Sequence, residues 1–381
     1  MIDETSITRQ LQRESTLEPP YCPTPKCPHH VPSGDNARFW RRHGMVKLQR
    51  FPYASQRFQC KTCNATFSAS FFELYYRQKV WGHNTLIWEY FNLSASMRAT
   101  ARKIHHSERL VRTRLRNMSR WAELKHAQLT AKLKIEEPIV YDGLENFAYS
   151  QYDPNNINHA IGKNTLFIYD FNFCPLNRKG RMSPWQKRKK KQLENRHGTY
   201  PKNAIRTSTK RIFERLIQRT KGELTLHTDR HFQYARALKF DLPQAPVRHI
   251  KTSSKVCRNH HNPLFAVNNV DLQARHNLAA FKRETIAFNK HEIAMQDSFL
   301  LYATYRNYMR PMFWGTHRSD PDCAVTSPAM KVGLTKKIWS FDEFFSGRVL
   351  PSQVVLNEDA KARYERREIY SRRTIALAPA I

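Results

Sequence analysis

The chain has 381 residues and carries 64 Lys and Arg against 32 Asp and Glu, a formal net charge of +32. With 40% hydrophobic residues and only 11 glycines it is neither low-complexity nor wholly disordered, and its length points to two or three folded units rather than one core. So large a positive excess repels itself unless a polyanion neutralises it, which makes nucleic acid the first partner to consider.

Residues 1–20 begin with a polar, partly acidic run, MIDETSITRQLQREST. A disordered leader is expected there, with no secretory signal. No stretch approaches the roughly 18 apolar residues of a spanning helix, so neither a membrane span nor a membrane partner is expected. Residues 21–70 contain Cys22-Pro-x-x-x-Cys27 and Cys60-x-x-Cys63, the latter inside RFQCKTCNATFS. Two short cysteine turns can aim four sulfurs at one tetrahedral zinc ion, with Zn–S bonds of about 2.3 Å. A unit this small and this poor in apolar residues needs such a staple. His29 and His30 lie close enough in sequence to replace one sulfur. Cys174, Cys257 and Cys323 stand alone and read as packing or surface thiols.

Residues 83–133 turn helical and basic, with ten Lys and Arg against two Asp and Glu between Arg98 and Lys132. Within them, SMRATARKIHHSERLVRTRLRNMSRWAEL reads as helix, turn, helix, with Ser107 capping the second helix. Arg98, Arg102, Arg109, Arg112, Arg114 and Arg116 are the candidate DNA contacts, because guanidinium forks onto phosphates and guanine edges. A merely solvated basic face is the plainer alternative.

From Pro138 the pattern becomes extended in IVYDGLENF, and again in NTLFIYDFNF at 164–173. Residues 178–221 are heavily basic. Their first part, with Lys189, Lys190 and Lys191, is expected to be a solvated loop gripping DNA backbone, with Trp185 as an anchor or a stacking surface. TSTKRIFERLIQRTKG is expected to be a helix capped by Thr207 or Ser208. A strand at 223–229, a helix at HFQYARALKF and a short strand near 249–254 follow. A long helical pattern then starts near Val267 and runs, broken at 284–288, to Tyr308.

Acidic residues stand out against this background. Asp142 follows an apolar strand core and Asp229 ends the strand LTLHTD. Carboxylates so placed are what a pair of Mg²⁺ ions needs to clamp the attacking and leaving oxygens of a phosphodiester. In the helix from Val267 to Phe281, Val267, Val270, Ala274, Leu278 and Phe281 form the buried stripe, while Asn268, Asp271 and Arg275 share an adjoining one. A surface Asp271–Arg275 pair is the plainer reading of that second stripe.

CP-x₃-C with RFQCKTCNATFS, the YDGLENF strand, HTDRHFQYARAL and RHNLAAFKRETIAFNK together resemble the transposases of bacterial insertion sequences that carry an N-terminal zinc ribbon, a helix-turn-helix and a DDE-type RNase H-like core. The resemblance spans roughly residues 21–310. It implies a mixed α/β fold: a ribbon at 21–70, a helix-turn-helix at 83–133, and a catalytic domain at 138–310 with a basic insertion at about 174–206. A C-terminal extension occupies 311–381. It further implies a structural zinc on Cys22, Cys27, Cys60 and Cys63, and catalytic Mg²⁺ or Mn²⁺ on Asp142 and Asp229. The third position, a Glu seven residues before the helix arginine matching Arg275, is held here by Asn268, and Asp271 is the charged alternative. Double-stranded DNA, both element ends and target, would be the partner of a homo-oligomer in the bacterial cytoplasm, associated with the nucleoid. Arg275 joins the candidate DNA contacts. A non-catalytic zinc-ribbon regulator or an inactive transposase copy is the alternative, and an RNA-binding protein a third.

Overall fold

The computed structural model describes residues 12, 16–32, 38–49, 53–312 and 325–367; Cys323 and most of the expected leader lie outside the described residues. The chain divides into two compact units, Met1–Ala131 with Trp339–Leu356, and Lys132–Ile338 with Asn357–Ile381.

The first unit holds a small antiparallel sheet, β1 (Trp40–Lys47), β2 (Ala54–Cys60) and β3 (Thr66–Ser68). Its core is aromatic: Phe58 meets Trp40 edge-on with ring centroids 5.0 Å apart, and Phe67 meets Phe72 at 5.8 Å. Three helices follow, α1 (Asn84–Asn92), α2 (Met97–Lys103) and α3 (Glu108–Thr130). Ser96 caps α2, and Ser107 caps α3 by accepting from the Leu110 amide at 3.3 Å, as the sequence suggested. A distant segment completes this unit. The rings of Phe341 and Phe345 pack on Trp88 with centroids 5.7 and 5.3 Å away, and the Arg348 amide donates to the Phe72 carbonyl.

The second unit is built on a five-stranded sheet of β4 (Ile139–Phe147), β5 (Pro154–Gly162), β6 (Ile168–Pro175), β7 (Leu224–Asp229) and β8 (Val247–Thr252), in the order β6-β5-β4-β7-β8. The first three strands are an antiparallel meander; β7 runs parallel to β4, and β8 parallel to β7. The sheet is therefore mixed, and the fold is mixed α/β. Helices cover both faces. Tyr141 of β4 packs on Phe213 of α5 (Ala204–Arg219), and its hydroxyl lies 2.8 Å from Thr209. On the opposite face, α7 (Phe265–Asn277) packs on β4 and β5, and α8 (Glu292–Thr304) brings Phe299 within 5.0 Å of Phe171. The intervening helix α6 (Phe232–Arg236) continues into a π-turn, and the last helix, α9 (Glu358–Glu365), places Asp359 against Arg211 and Arg215.

Three local expectations are corrected. The basic stretch expected as a loop forms α4 (Pro184–His197), opened by a capping box between Ser183 and Gln186 and burying none of its residues. Trp185 in it is 60% exposed, against the expectation of a buried hydrophobic anchor. Helix α5 begins at Ala204, a turn before the expected caps Thr207 and Ser208, and Ser208 and Thr209 are buried instead.

Candidate functional site

Cys22 and Cys27 flank one tight turn and Cys60 and Cys63 another. Asn64, just past the second, takes the left-handed conformation (φ 58°) that Asn tolerates, and its amide donates back to the Cys60 carbonyl. The four ligand atoms lie within 4.8 Å of one another, with Cys22 Sγ 3.5 Å from Cys63 Sγ and Cys27 Sγ 3.8 Å from Cys60 Sγ. A tetrahedron with metal–sulfur bonds of about 2.3 Å has edges of about 3.8 Å, so the cluster is sized for a structural zinc ion. Burial pushes the Cys22 thiol up to about 12, and hydrogen bonding from the Ala65 amide and the neighbouring thiols outweighs desolvation to bring Cys63 down to about 7. The histidines stand aside. His29 stacks on Phe39, while Nδ1 of His30 lies 2.9 Å from the Cys22 carbonyl and Nε2 lies 2.7 Å from the Ser352 hydroxyl.

On α2 and α3, Arg98, Arg102, Arg109, Arg112 and Arg116 are exposed. Glu108 binds two of them, Arg98 at 3.2 Å and Arg112 at 3.0 Å. Arg114 departs from expectation: its side chain is buried and donates to the Val80 carbonyl, so it braces the fold instead of facing outward. In the second unit Lys189 and Lys191 are exposed on α4, and Lys190 pairs with Glu194 at 3.4 Å. Arg275 is also turned inward, donating to the backbone carbonyls of Glu145 at 2.9 Å and Phe281 at 3.2 Å, which ties the end of α7 to β4.

Three carboxylates lie toward one sheet face, although among the described residues only the four cysteines bring three or more ligand atoms within 4.8 Å of one another. The β4–β7 ladder ends with Tyr141 opposite Thr228, and the next step along both strands sets Asp142 beside Asp229. On the other side of β4, Asp142 pairs directly with His159 of β5, and opposed residues share a face. Helix α7 lies over these strands and places the Asp271 Oδ1 3.0 Å from His159 Nε2. Asp142 Oδ1 accepts from the Gly143 amide at 2.8 Å and from the Tyr234 hydroxyl at 3.2 Å; Asp229 Oδ1 accepts from the His231 amide at 2.8 Å. Burial, then the charges of Asp271 and Asp229, push the Asp142 carboxyl up to about 7. Asn268, a turn before Asp271, is half-buried, and among the described residues no side-chain hydrogen bond ties it to either strand aspartate. Sequence reasoning missed His159 and Tyr234. His159 lies in the asparagine-rich run PNNINHAIG, whose lack of alternation hid the strand, and only the cross-strand register reveals its partner.

Among the described residues no helix is long and apolar enough to cross a membrane. No family model matches the chain, and no curated protein matches it.

Proposed function

We propose that this protein is the DNA transposase of an insertion sequence, a DDE-type enzyme that binds terminal inverted repeats and carries out divalent-metal-dependent cleavage and strand transfer. The proposal is supported by the neighbouring positions of Asp142, Asp229 and Asp271 toward one face of a mixed sheet, drawn from two strands and a later helix. A mixed sheet with helices on both faces is also what the RNase H-like reading calls for. The donor set fits Mg²⁺ or Mn²⁺. Its atoms are hard carboxylate oxygens, and the burial and mutual repulsion that raise the Asp142 pKa are relieved by a divalent cation.

Asp142 and Asp229 would hold the metal, with Asp271 as the third group. Bound there, the metal supplies charge stabilisation for the phosphodiester transition state and acidifies water or a 3′-hydroxyl. Around it the chain orients the ligands. The Gly143 amide and the Tyr234 hydroxyl fix Oδ1 of Asp142, and the His231 amide fixes Oδ1 of Asp229. The zinc-clamped ribbon and the exposed arginines of α2 and α3 would grip element ends, and α4, basic and unburied, would track backbone without regard to sequence. Nicking of supercoiled plasmid in Mn²⁺ tests the reading. The parent is expected to nick, and Asp142→Ala to lose activity by at least about 100-fold, as removal of a metal-site carboxylate demands. An Asp142→Ala protein that nicks as fast as the parent removes the catalytic assignment and leaves the non-catalytic DNA-binding regulator.

A further inference from the structure

We infer that His159 is a positioning residue that fixes Asp271, and not Asn268, as the third group of the metal site. The inference rests on the strand-transfer reading. His159 is fully buried at the centre of β5, directly across from Asp142. Its Nδ1 lies 2.9 Å from the Ile157 carbonyl oxygen, which can only accept, so Nδ1 carries a hydrogen. Its Nε2 lies 3.0 Å from Asp271 Oδ1. That separation is within ion-pair range for an imidazolium facing a carboxylate, and neither atom has another hydrogen-bond partner among the described residues. The ring of Phe299, its centroid 5.4 Å away, packs against the imidazole from α8. The imidazole thus has Nδ1 held by the Ile157 carbonyl, Nε2 facing the Asp271 carboxylate, and an aromatic wall beside it.

Two consequences follow for Asp271. Its Oδ1 is tied to the sheet, so the carboxylate reports the position of β5 and not the mobility of an exposed helix side chain. Oδ2 makes no protein hydrogen bond among the described residues and is left for a cation. The His159 contact also supplies a donor amid three crowded carboxylates, which allows α7 to bring a third acid close to Asp142. Asn268 has no comparable tether. Donor partners of this kind, one step behind a metal ligand, commonly govern metal affinity about 10- to 100-fold.

Asparagine and glutamine separate this role from simple core packing. Asn at position 159 can reproduce the Nδ1 donor toward Ile157 but cannot reach Asp271; Gln can reach Asp271. Mn²⁺ binding to full-length, zinc-loaded protein, read by electron paramagnetic resonance, supplies the measurement, with Asp142→Asn identifying the signal that belongs to this site. His159→Asn and Asp271→Asn are expected to weaken that binding about 10- to 100-fold, His159→Gln to stay within about threefold of the parent, and Asn268→Ala to leave it unchanged. Equal weakening by His159→Asn and His159→Gln would reduce His159 to a packing residue. No weakening by His159→Asn, or weakening by Asn268→Ala but not Asp271→Asn, would overturn the inference while Asp142-dependent binding upholds the metal site. A parent that binds no Mn²⁺ through Asp142 would end the strand-transfer reading and this inference together.

Discussion

Asp142 is half-buried beside charges of its own sign, and this has a pH signature. Its carboxyl is pushed up to about 7 in the folded protein by burial and by Asp271 and Asp229, while the unfolded chain releases that proton near the ordinary Asp value of about 3.9. Between those values the folded state binds the extra proton, so stability falls as pH rises from about 4 to about 7 and the loss is complete above that. Asp142→Asn, which cannot ionise, is expected to melt several degrees above the parent at pH 8 without added divalent cation, as a kcal-scale relief implies for a domain of about 200 residues. The difference should close toward pH 4, and a pH-independent difference in thermal melts would contradict the crowding. Next to it, Gly143 is required by its neighbours. A Cβ there would lie 2.7 Å from Asn156 Nδ2 and 2.9 Å from Asn158 Oδ1, on the face away from the carboxylates. Gly143→Ala is expected to cost about 1–3 kcal/mol in denaturant unfolding, the usual range for overpacking, and a cost near zero would show that the amides give way. At this scale the cysteine cluster and the strand positions of Asp142 and Asp229 were legible, because paired short cysteine spacings, and a lone acid ending an apolar run in a cationic chain, are local signals. Arg114 and Arg275 reach back to backbone carbonyls, a role whose sequence signature is the same as that of an arginine facing outward.

Among the elements, those with clear periodicity were readable and those held by other means were not. Strand β4 matches its expected span from Ile139 to Phe147, and β7 falls within the expected run at 223–229. Strand β5 was hidden because all nine of its residues are buried, so polar Asn155, Asn156 and Asn158 sit where alternation would demand apolar side chains. Asn158 compensates by donating to Asn172 Oδ1 at 3.2 Å, and Asn172 in turn donates to the Ser208 carbonyl at 2.8 Å. Helix α4 was read as loop because it has no apolar face; its capping box, its Lys190–Glu194 pair and its Lys, Arg, Gln and Glu content favour helix without one. The ribbon presents the opposite case, with four thiols converging around an aromatic cluster. Cys60→Ser is expected to lower bound zinc from one ion per chain to none by elemental analysis, and to abolish the cooperative melting of the ribbon. Retention of a full zinc equivalent by that variant would contradict the four-sulfur assignment.

Across the whole molecule, what the sequence could not reveal was return of the chain over long distances. Residues 339–356, expected to belong to a C-terminal extension, complete the first unit through Phe341, Phe345 and Arg348, and α9 completes the second through Asp359. Such contacts leave no periodic trace, since each partner reads alone as an ordinary aromatic or charged residue. The same blindness applied to the carboxylates, whose companionship is a property of sheet order and helix placement. On the proposed reading the +32 charge would draw a polyanion, and Asp142, Asp229 and Asp271 would give the protein chemistry to perform on it. Anomalous diffraction from crystals soaked in Mn²⁺ tests that reading most directly. A Mn²⁺ peak about 2.1 Å from carboxylate oxygens of both Asp142 and Asp229, with Asp271 adjacent, is the expected result. Mn²⁺ peaks confined to other parts of the surface, with these three carboxylates bare at saturating metal, would contradict it.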